Sequence, residues 1–365
     1  MPRATIGDVA RVAGVSKGTV SLAYSGNRPV AEETRRRVFA AAEELRWTPS
    51  QSARALATSR TGSVGLVIAR RPDVIATDTF FPRFIAGCES ALAEAGMGLM
   101  LNVVADQDAE AAVYARYAAG RVDGVILLDV EQEDTRPALV EDLGLTAVML
   151  TGQRPDTGSP VALPEVWTDD AAAIEELVDL LVAEGHERIA HVSGPLNYVH
   201  AAARREAFSR AVRRHGLPAD LMIEGDFSAA SGRDATSRLL GGPTPWDDEG
   251  REDGEPHGPE PQDASAKRPS AIVYANDVMA IAGLSYARSI GLRVPEDLSV
   301  TGFDDSELSA HLSPGLTSVS TGALLRGEVA ARTLLLALQG EAPSAVAVEG
   351  NHVVRRGSVA PPPTT

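Results

Sequence analysis

A single cysteine, Cys88, among 365 residues excludes an internal disulfide framework and fits a reducing compartment. Aromatic residues make up only 4% of the chain, so a cluster of them carries information. No run approaches the roughly 20 apolar residues needed to span a bilayer, so no membrane partner is expected. The opening "MPRATIGDVARVAG" has charges where a secretory signal needs an apolar core, so no secretion signal is expected either. A Walker loop, a GxSxG elbow, an HExxH helix and paired Cys/His ligands are all missing, which removes the best-marked enzyme classes. We therefore expect no enzyme, no cofactor and no metal. His186 and His191 sit in "EGHERIAHVSG", a helix-to-strand turn and a strand, and read as structural groups.

Positive charge is scarce overall but concentrated. The formal net charge is −16, yet residues 1–60 hold ten Lys/Arg against five Asp/Glu, a net +5. The rest holds 24 against 45, a net −21. A basic head on an acidic body lets only the head approach a polyanion.

Within that head, "DVARVAGVSKGTVSLAYSG" places Val9, Ala10 and Ala13 at helical spacing. Val15, Val20, Leu22 and Ala23 repeat the spacing after Gly14, which can turn the chain because glycine accepts positive φ. Thr5 and Ser16 can cap the two helices. Two short helices joined by such a turn form a helix-turn-helix. The segment "VAEETRRRVFAAAEELRW" adds a third helix whose stripe of Val30, Thr34, Val38, Ala41, Ala42 and Leu45 can close a small core. "TPSQSARALATSRTG" follows as a polar linker.

From residue 62 the pattern becomes strand–helix alternation, with runs such as "SVGLVIA", "VDGVILLD", "SAIVYAND" and "LSVTGFDD" between Ala-rich amphipathic helices. That rhythm predicts doubly wound parallel sheets of an α/β class, and about 300 residues predict two lobes. Residues 243–269, Pro/Gly-rich and acidic, read as a flexible insertion.

The pattern "TIGDVARVAGVSKGTVS" from Thr5 to Ser21, the block "PSQSARAL", and the later "GHERIAHVSGP", "ANDVMAIAGLSYARSIGLRVPEDLSVTGFDD" and "SPGLTSV" together resemble the lactose/galactose-repressor (LacI/GalR) family of bacterial transcription regulators. The resemblance covers nearly the whole chain. It implies a helix-turn-helix head (1–48), a hinge (49–61) and a two-lobed, periplasmic-binding-protein-like effector domain (62–360). Lobe 1 is expected at about 62–162 plus 293–319. Lobe 2 is expected at about 163–292 plus 320–360, carrying the insertion.

The resemblance also implies roles. Lys17, Gly18 and Leu22 fall at the family's base-contacting positions on the recognition helix that begins at Ser16. Lys17 can donate to guanine, Gly18 offers only close backbone approach, and Leu22 can touch a thymine methyl. Thr5, Thr19, Ser21, Ser25 and Arg35 are suited to phosphates. In the hinge, Ser50 would cap a helix formed on DNA, Arg54 lies within it, and Leu56 would wedge into the minor groove. The family more often has Asn at position 50 and Tyr at position 47, where this chain has Ser50 and Trp47. Effector contacts carried over are Asp169, Arg204, Asn276 and Asp304, with Phe227 stacking on the ligand and Phe80 or Phe81 on the opposite wall. Asp170 is expected to cap the next helix instead.

The expected protein is thus a cytoplasmic, nucleoid-associated homodimer that represses carbohydrate genes. It would bind a double-stranded DNA operator with an inverted repeat, under control of a sugar or sugar phosphate. A nucleobase- or protein-responsive regulator of the same family is the alternative, and a periplasmic-type sugar-binding protein a distant one. If Leu56 is the wedge, Leu56→Ala weakens operator binding while largely sparing random DNA. Equal losses on both in a titration would remove that role.

Overall fold

The computed structural model describes residues 4–25, 29–48, 60–155, 163–241 and 268–363. The hinge residues 49–59 and most of the 243–269 insertion therefore lie outside the described residues. In the head, α1 (Ile6–Ala13), α2 (Lys17–Ser25) and α3 (Glu32–Glu44) enclose Val9, Ala10, Ala13, Val20, Ala23, Val38, Ala41 and Ala42. Thr5 caps α1 in a reciprocal box, its backbone N–H donating to Asp8 Oδ2 at 3.0 Å and its Oγ1 accepting from the Asp8 N–H at 3.4 Å. Gly14 ends α1 at φ 65°, the left-handed turn that separates the two helices. Ser16 then caps α2 by accepting from the Thr19 N–H at 3.1 Å.

The body runs β1 (Ser63–Ala69), α4 (Pro72–Thr77), α5 (Phe80–Glu94), β2 (Gly98–Val104), α6 (Gln107–Ala118), β3 (Gly124–Leu127), α7 (Arg136–Asp142), β4 (Thr146–Thr151) and β5 (Glu165–Trp167). Next come α8 (Asp170–Ala183), β6 (Ile189–Ser193), α9 (Val199–Arg214), β7 (Met222–Glu224), α10 (Ala229–Leu240), β8 (Ala271–Tyr274), α11 (Asp277–Ser289), β9 (Ser299–Phe303), α12 (Glu307–His311) and β10 (Thr317–Ser320). The chain closes with α13 (Ala323–Ala337), β11 (Ala345–Ala347) and β12 (His352–Val354). The first sheet has the order β11-β5-β4-β3-β1-β2 and the second β12-β10-β9-β8-β6-β7. Every pairing is parallel except β10 with β12. Central strands such as β3, β6, β8 and β9 are buried throughout, as expected of strands covered on both faces. Among the described residues no helix is long and apolar enough to cross a membrane.

The two lobes expected from the strand–helix rhythm are present, but the C-terminal segments are exchanged relative to expectation. Residues 293–319, assigned to lobe 1, belong to lobe 2, because β9 pairs with β8 and β10 with β9. Residues 323–347, assigned to lobe 2, return to lobe 1, where α13 packs on α5 and β11 pairs with β5. Only β12 and the segment after it return to the second lobe. The chain therefore passes between lobes three times, after β5, after β10 and after β11. Periodicity marks a segment as strand or helix but carries no information on which sheet edge accepts it.

The α5–α13 contact is a close backbone approach. A Cβ at Gly87 would lie 1.9 Å from the Leu324 carbonyl oxygen, and one at Gly327 would lie 2.1 Å from that of Phe84. Neither obstacle is a flexible side chain, so the helices would have to separate. Gly87→Ala is expected to destabilise lobe 1 by about 1–3 kcal/mol or more in urea unfolding. An unchanged midpoint would show that the crossing adjusts without cost.

Candidate functional site

At the tip of the head, Ser16, Lys17 and Gly18 are exposed at the start of α2, and Thr19, Ser21 and Leu22 are half-buried along it. Gly7 makes room for the Lys17 stem, since a Cβ there would sit 3.2 Å from Lys17 Cε. The Ser16 and Thr19 hydroxyls lie 2.9 Å apart. The exposed Thr5 hydroxyl donates to Asp8 at 2.7 Å, and its bonds to Asp8 lead those that lower this carboxyl to about 2. Arg35 projects from α3 over the Phe39 ring at 5.4 Å, and Tyr24 meets Phe39 and Trp47 edge-on at 4.9 and 5.5 Å. The Ser25 side chain, Ser50, Arg54 and Leu56 lie outside the described residues.

A second constellation lies between the lobes, in a cavity of about 600 Å³ counted out to its mouth. Of the expected residues, Phe80, Phe81, Arg204, Phe227, Asn276 and Asp304 line it. Asp169 does not. It is exposed and caps α8, its Oδ1 accepting from the Ala172 N–H at 2.9 Å. Its neighbour Asp170, expected as the cap, is instead wholly buried. The two residues exchange roles because α8 begins one residue earlier than expected, which turns the second carboxylate inward.

Asp170 Oδ2 accepts from Arg204 Nε at 3.0 Å and Nη2 at 2.6 Å, while Oδ1 accepts from Thr168 at 2.9 Å and Asn351 at 2.8 Å. Burial alone would raise this carboxyl, but the charge of Arg204 and then of Arg326 hold it below the usual range. Arg204 also lies 3.7 Å over the Phe303 ring and donates to the Ala275 carbonyl at 3.2 Å. Asn276 caps α11, accepting from the Met279 N–H at 2.9 Å and donating to the Phe227 carbonyl at 3.0 Å. Phe227 has φ 66°, and its ring fills the space a Cβ at Gly194 would need.

Several lining residues were not anticipated. Arg70 donates to Asp129 through Nε at 2.7 Å and Nη2 at 2.8 Å. From lobe 1 it reaches over two lobe 2 rings, Tyr198 at 4.4 Å and Phe227 at 4.6 Å. His200 stacks against the same two rings, and burial followed by the Arg204 charge pushes its imidazole down to about 3. Asp78 and Arg326 complete the wall. Arg70 and Asp129 sit at the C-terminal ends of strands, where parallel sheets place ligands, so that rule could have found them. Asp78 in a loop and Arg326 inside a helix carry no such signal. Among the described residues no cluster could hold a metal ion. His186 bonds Ser270 and Ser299, and His191 donates to the Val273 carbonyl, as structural groups.

A basic three-helix head on a two-lobed body with a polar interlobe cleft defines a DNA-binding regulator built on a periplasmic-binding-protein-like fold. Residues 5–50 match bacterial regulatory proteins of the lacI family. Residues 61–246 match the periplasmic binding proteins and sugar binding domain of the LacI family, and residues 178–359 a periplasmic binding protein-like domain. The HTH-type transcriptional regulator CelR of Thermobifida fusca is 31% identical over 363 residues, 97% of this chain and 98% of its own. The HTH-type transcriptional repressor PurR of Aliivibrio fischeri is 30% identical over 346 residues, 91% of each. Among solved structures, a lac repressor dimer bound to operator and the anti-inducer ONPF has TM-score 0.79 at 26% identity, covering 98% of this chain and 100% of that one. A CelR–cellobiose complex has TM-score 0.69 at 30% identity, with the same coverage. The chain belongs to the lacI family of bacterial regulatory proteins and is a transcriptional repressor of that family. Its relatives are regulators, not enzymes.

Asp304 generates a pH prediction. Burial, and then the like charge of Asp78, raise its carboxyl well above the ordinary value. The folded state therefore holds a proton that the unfolded chain releases near pH 4, and stability falls as pH rises from there towards the folded pKa. Asp304→Asn removes the titrating group at a backbone φ of 99° that Asn tolerates. The variant is expected to melt above the parent at pH 7, with the gain vanishing near pH 4. A lower melting temperature at pH 7 would contradict this sign.

Proposed function

We propose that this regulator acts as a cytoplasmic homodimer whose two heads read the half-sites of an inverted repeat. In this reading Lys17, Gly18 and Leu22 face base edges, while Thr5, Ser16, Thr19, Ser21, Ser25 and Arg35 face phosphates. Support comes from the exposure of Ser16, Lys17 and Gly18 at one helix start and from the +5 head on a −21 body. Ser50, Arg54 and Leu56 supply the hinge contacts.

The effector is a sugar or sugar phosphate held in the interlobe cleft by Phe80, Phe81, Arg204, Phe227, Asn276 and Asp304. The observation that carries this is the convergence of those six side chains on one cavity, from both lobes. Carboxyl, amide and guanidinium groups pair with vicinal hydroxyls, and an aromatic face covers the apolar side of a sugar ring. The CelR–cellobiose complex shows the same fold with a sugar. Binding sets the angle between lobes and so the separation of the hinges. Such coupling typically changes operator affinity by about 1–3 kcal/mol, or 5- to 150-fold.

Selection of random double-stranded DNA on the full chain tests the DNA half of the reading. An inverted repeat with a flexible central pyrimidine–purine step is expected. Enrichment of no symmetric site, with or without added sugars, would overturn it. Thermal stabilisation by nucleobases and not by sugars would move the effector to the nucleobase alternative.

A further inference from the structure

Three arginines line the cleft, and two are neutralised where they stand. Arg70 is held by both oxygens of Asp129 and Arg204 by Asp170. Arg326 is different. It extends from α13 beneath the strand ends, is only 5% exposed, and makes no salt bridge among the described residues. Its Nη2 reaches the Thr151 carbonyl at a long 3.4 Å, and its Nε is buried without a partner. Its guanidinium lies 5.4 Å over the Phe80 ring, one of the walls of the cavity.

A buried guanidinium without a direct ion pair is costly; Asp170, the carboxylate that acts on it most, is already bonded to Arg204. The two remaining acids of the cavity do not fill the role. Asp78 spends an oxygen on the Phe80 N–H at 2.9 Å, and neither it nor Asp304 forms a salt bridge with Arg326. Burial raises both carboxyls, which favours their neutral forms. The wall therefore presents one guanidinium without a direct ion pair, beside hydrogen-bonding groups and aromatic faces.

We propose that the effector is an anionic carbohydrate, a sugar phosphate or sugar acid, and that Arg326 seats its anionic group. The inference rests on the carbohydrate reading of the cleft and narrows it. Arg326 offers Nη hydrogens to the anion, Phe80 supports the guanidinium face, and Asp304, Asn276 and Arg204 are left to the hydroxyls.

The test uses the full chain in thermal melts and calorimetric titration. Its probes are glucose, galactose, their 6-phosphates, the matching uronates, and inorganic phosphate at constant ionic strength. Anionic sugars, and more weakly inorganic phosphate, are expected to stabilise the parent beyond the neutral sugars. The 6-phosphate and uronate arms show which anion fits. Loss of one charge-assisted contact predicts that Arg326→Met weakens the anionic ligand about 10- to 100-fold and leaves neutral sugars unchanged. Arg326→Lys retains part of the preference. Ligand-free Arg326→Met is expected to melt no lower than the parent, because burial disfavours the Arg326 charge more than the carboxylates around it favour it. Three results overturn the proposal. One is stabilisation by neutral sugars equal to that by their anionic forms, which leaves the carbohydrate reading intact. Another is no response to any anionic probe. The third is a ligand-free Arg326→Met that unfolds at lower temperature, which would make Arg326 a structural group.

Discussion

The buried carboxylate of Asp170 is the point on which the body depends. It stands at the first passage between the lobes, and its four hydrogen bonds gather Thr168 before α8, Arg204 from α9 and Asn351 from the third passage. Gly152, at the end of β4, must lack a side chain because a Cβ there would lie 2.6 Å from Asp170 Oδ2. Removing one member of such a pair leaves a buried charge uncompensated, at a cost of about 3–5 kcal/mol. The node thus fixes Arg204 at the cavity wall and ties two of the passages to one atom group.

Backbone strain collects around the same cavity. Asp129, Phe227, Asp304 and Asp305 all have positive φ, and the only other non-glycine residue so placed among those described is Arg46. Such conformations persist where surrounding contacts over-determine them. Asp129 is held by Arg70 and Asp305 by Arg356. Phe227 is held by Asn276 through its carbonyl and by the space at Gly194. Arg70 adds a bond across the cleft, since it is anchored in lobe 1 and stacked on rings of lobe 2. The backbone bonds from Gln132 to Asn197 and from Val199 to Val130 close the rim beside it. An effector must share this space with Arg70 or move it, and either choice changes how the lobes meet.

Much of the architecture is legible locally. The Thr5 and Ser16 caps, the Gly14 turn and the Val9-Ala10-Ala13 stripe depend on neighbours within a few residues, so each follows from spacing and side-chain chemistry. The same holds for the alternation of buried strands and amphipathic helices. Legibility ends where a choice depends on distant partners. The Asp169–Asp170 pair shows this at the scale of one residue, since either could cap α8, and the second carboxylate turns inward to partners on other elements, Arg204 and Asn351.

By itself the amino-acid order determined a capped helix-turn-helix head, a basic-to-acidic charge division, and two parallel-sheet lobes with Arg204, Phe227, Asn276 and Asp304 near strand ends or helix starts. Tertiary structure alone decided that β9 and β10 complete the second lobe while α13 and β11 return to the first. That exchange carries Arg326 to the cavity, beside Phe80 and Thr151, which are distant from it in the chain. The physical reason is that capping, periodicity and turn formation act over three or four residues. Sheet-edge pairing of β11 with β5 and the helix-on-helix approach at Gly87 and Gly327 join residues more than a hundred positions apart, and the buried Asp170–Arg204 and Asp129–Arg70 pairs join residues of different elements.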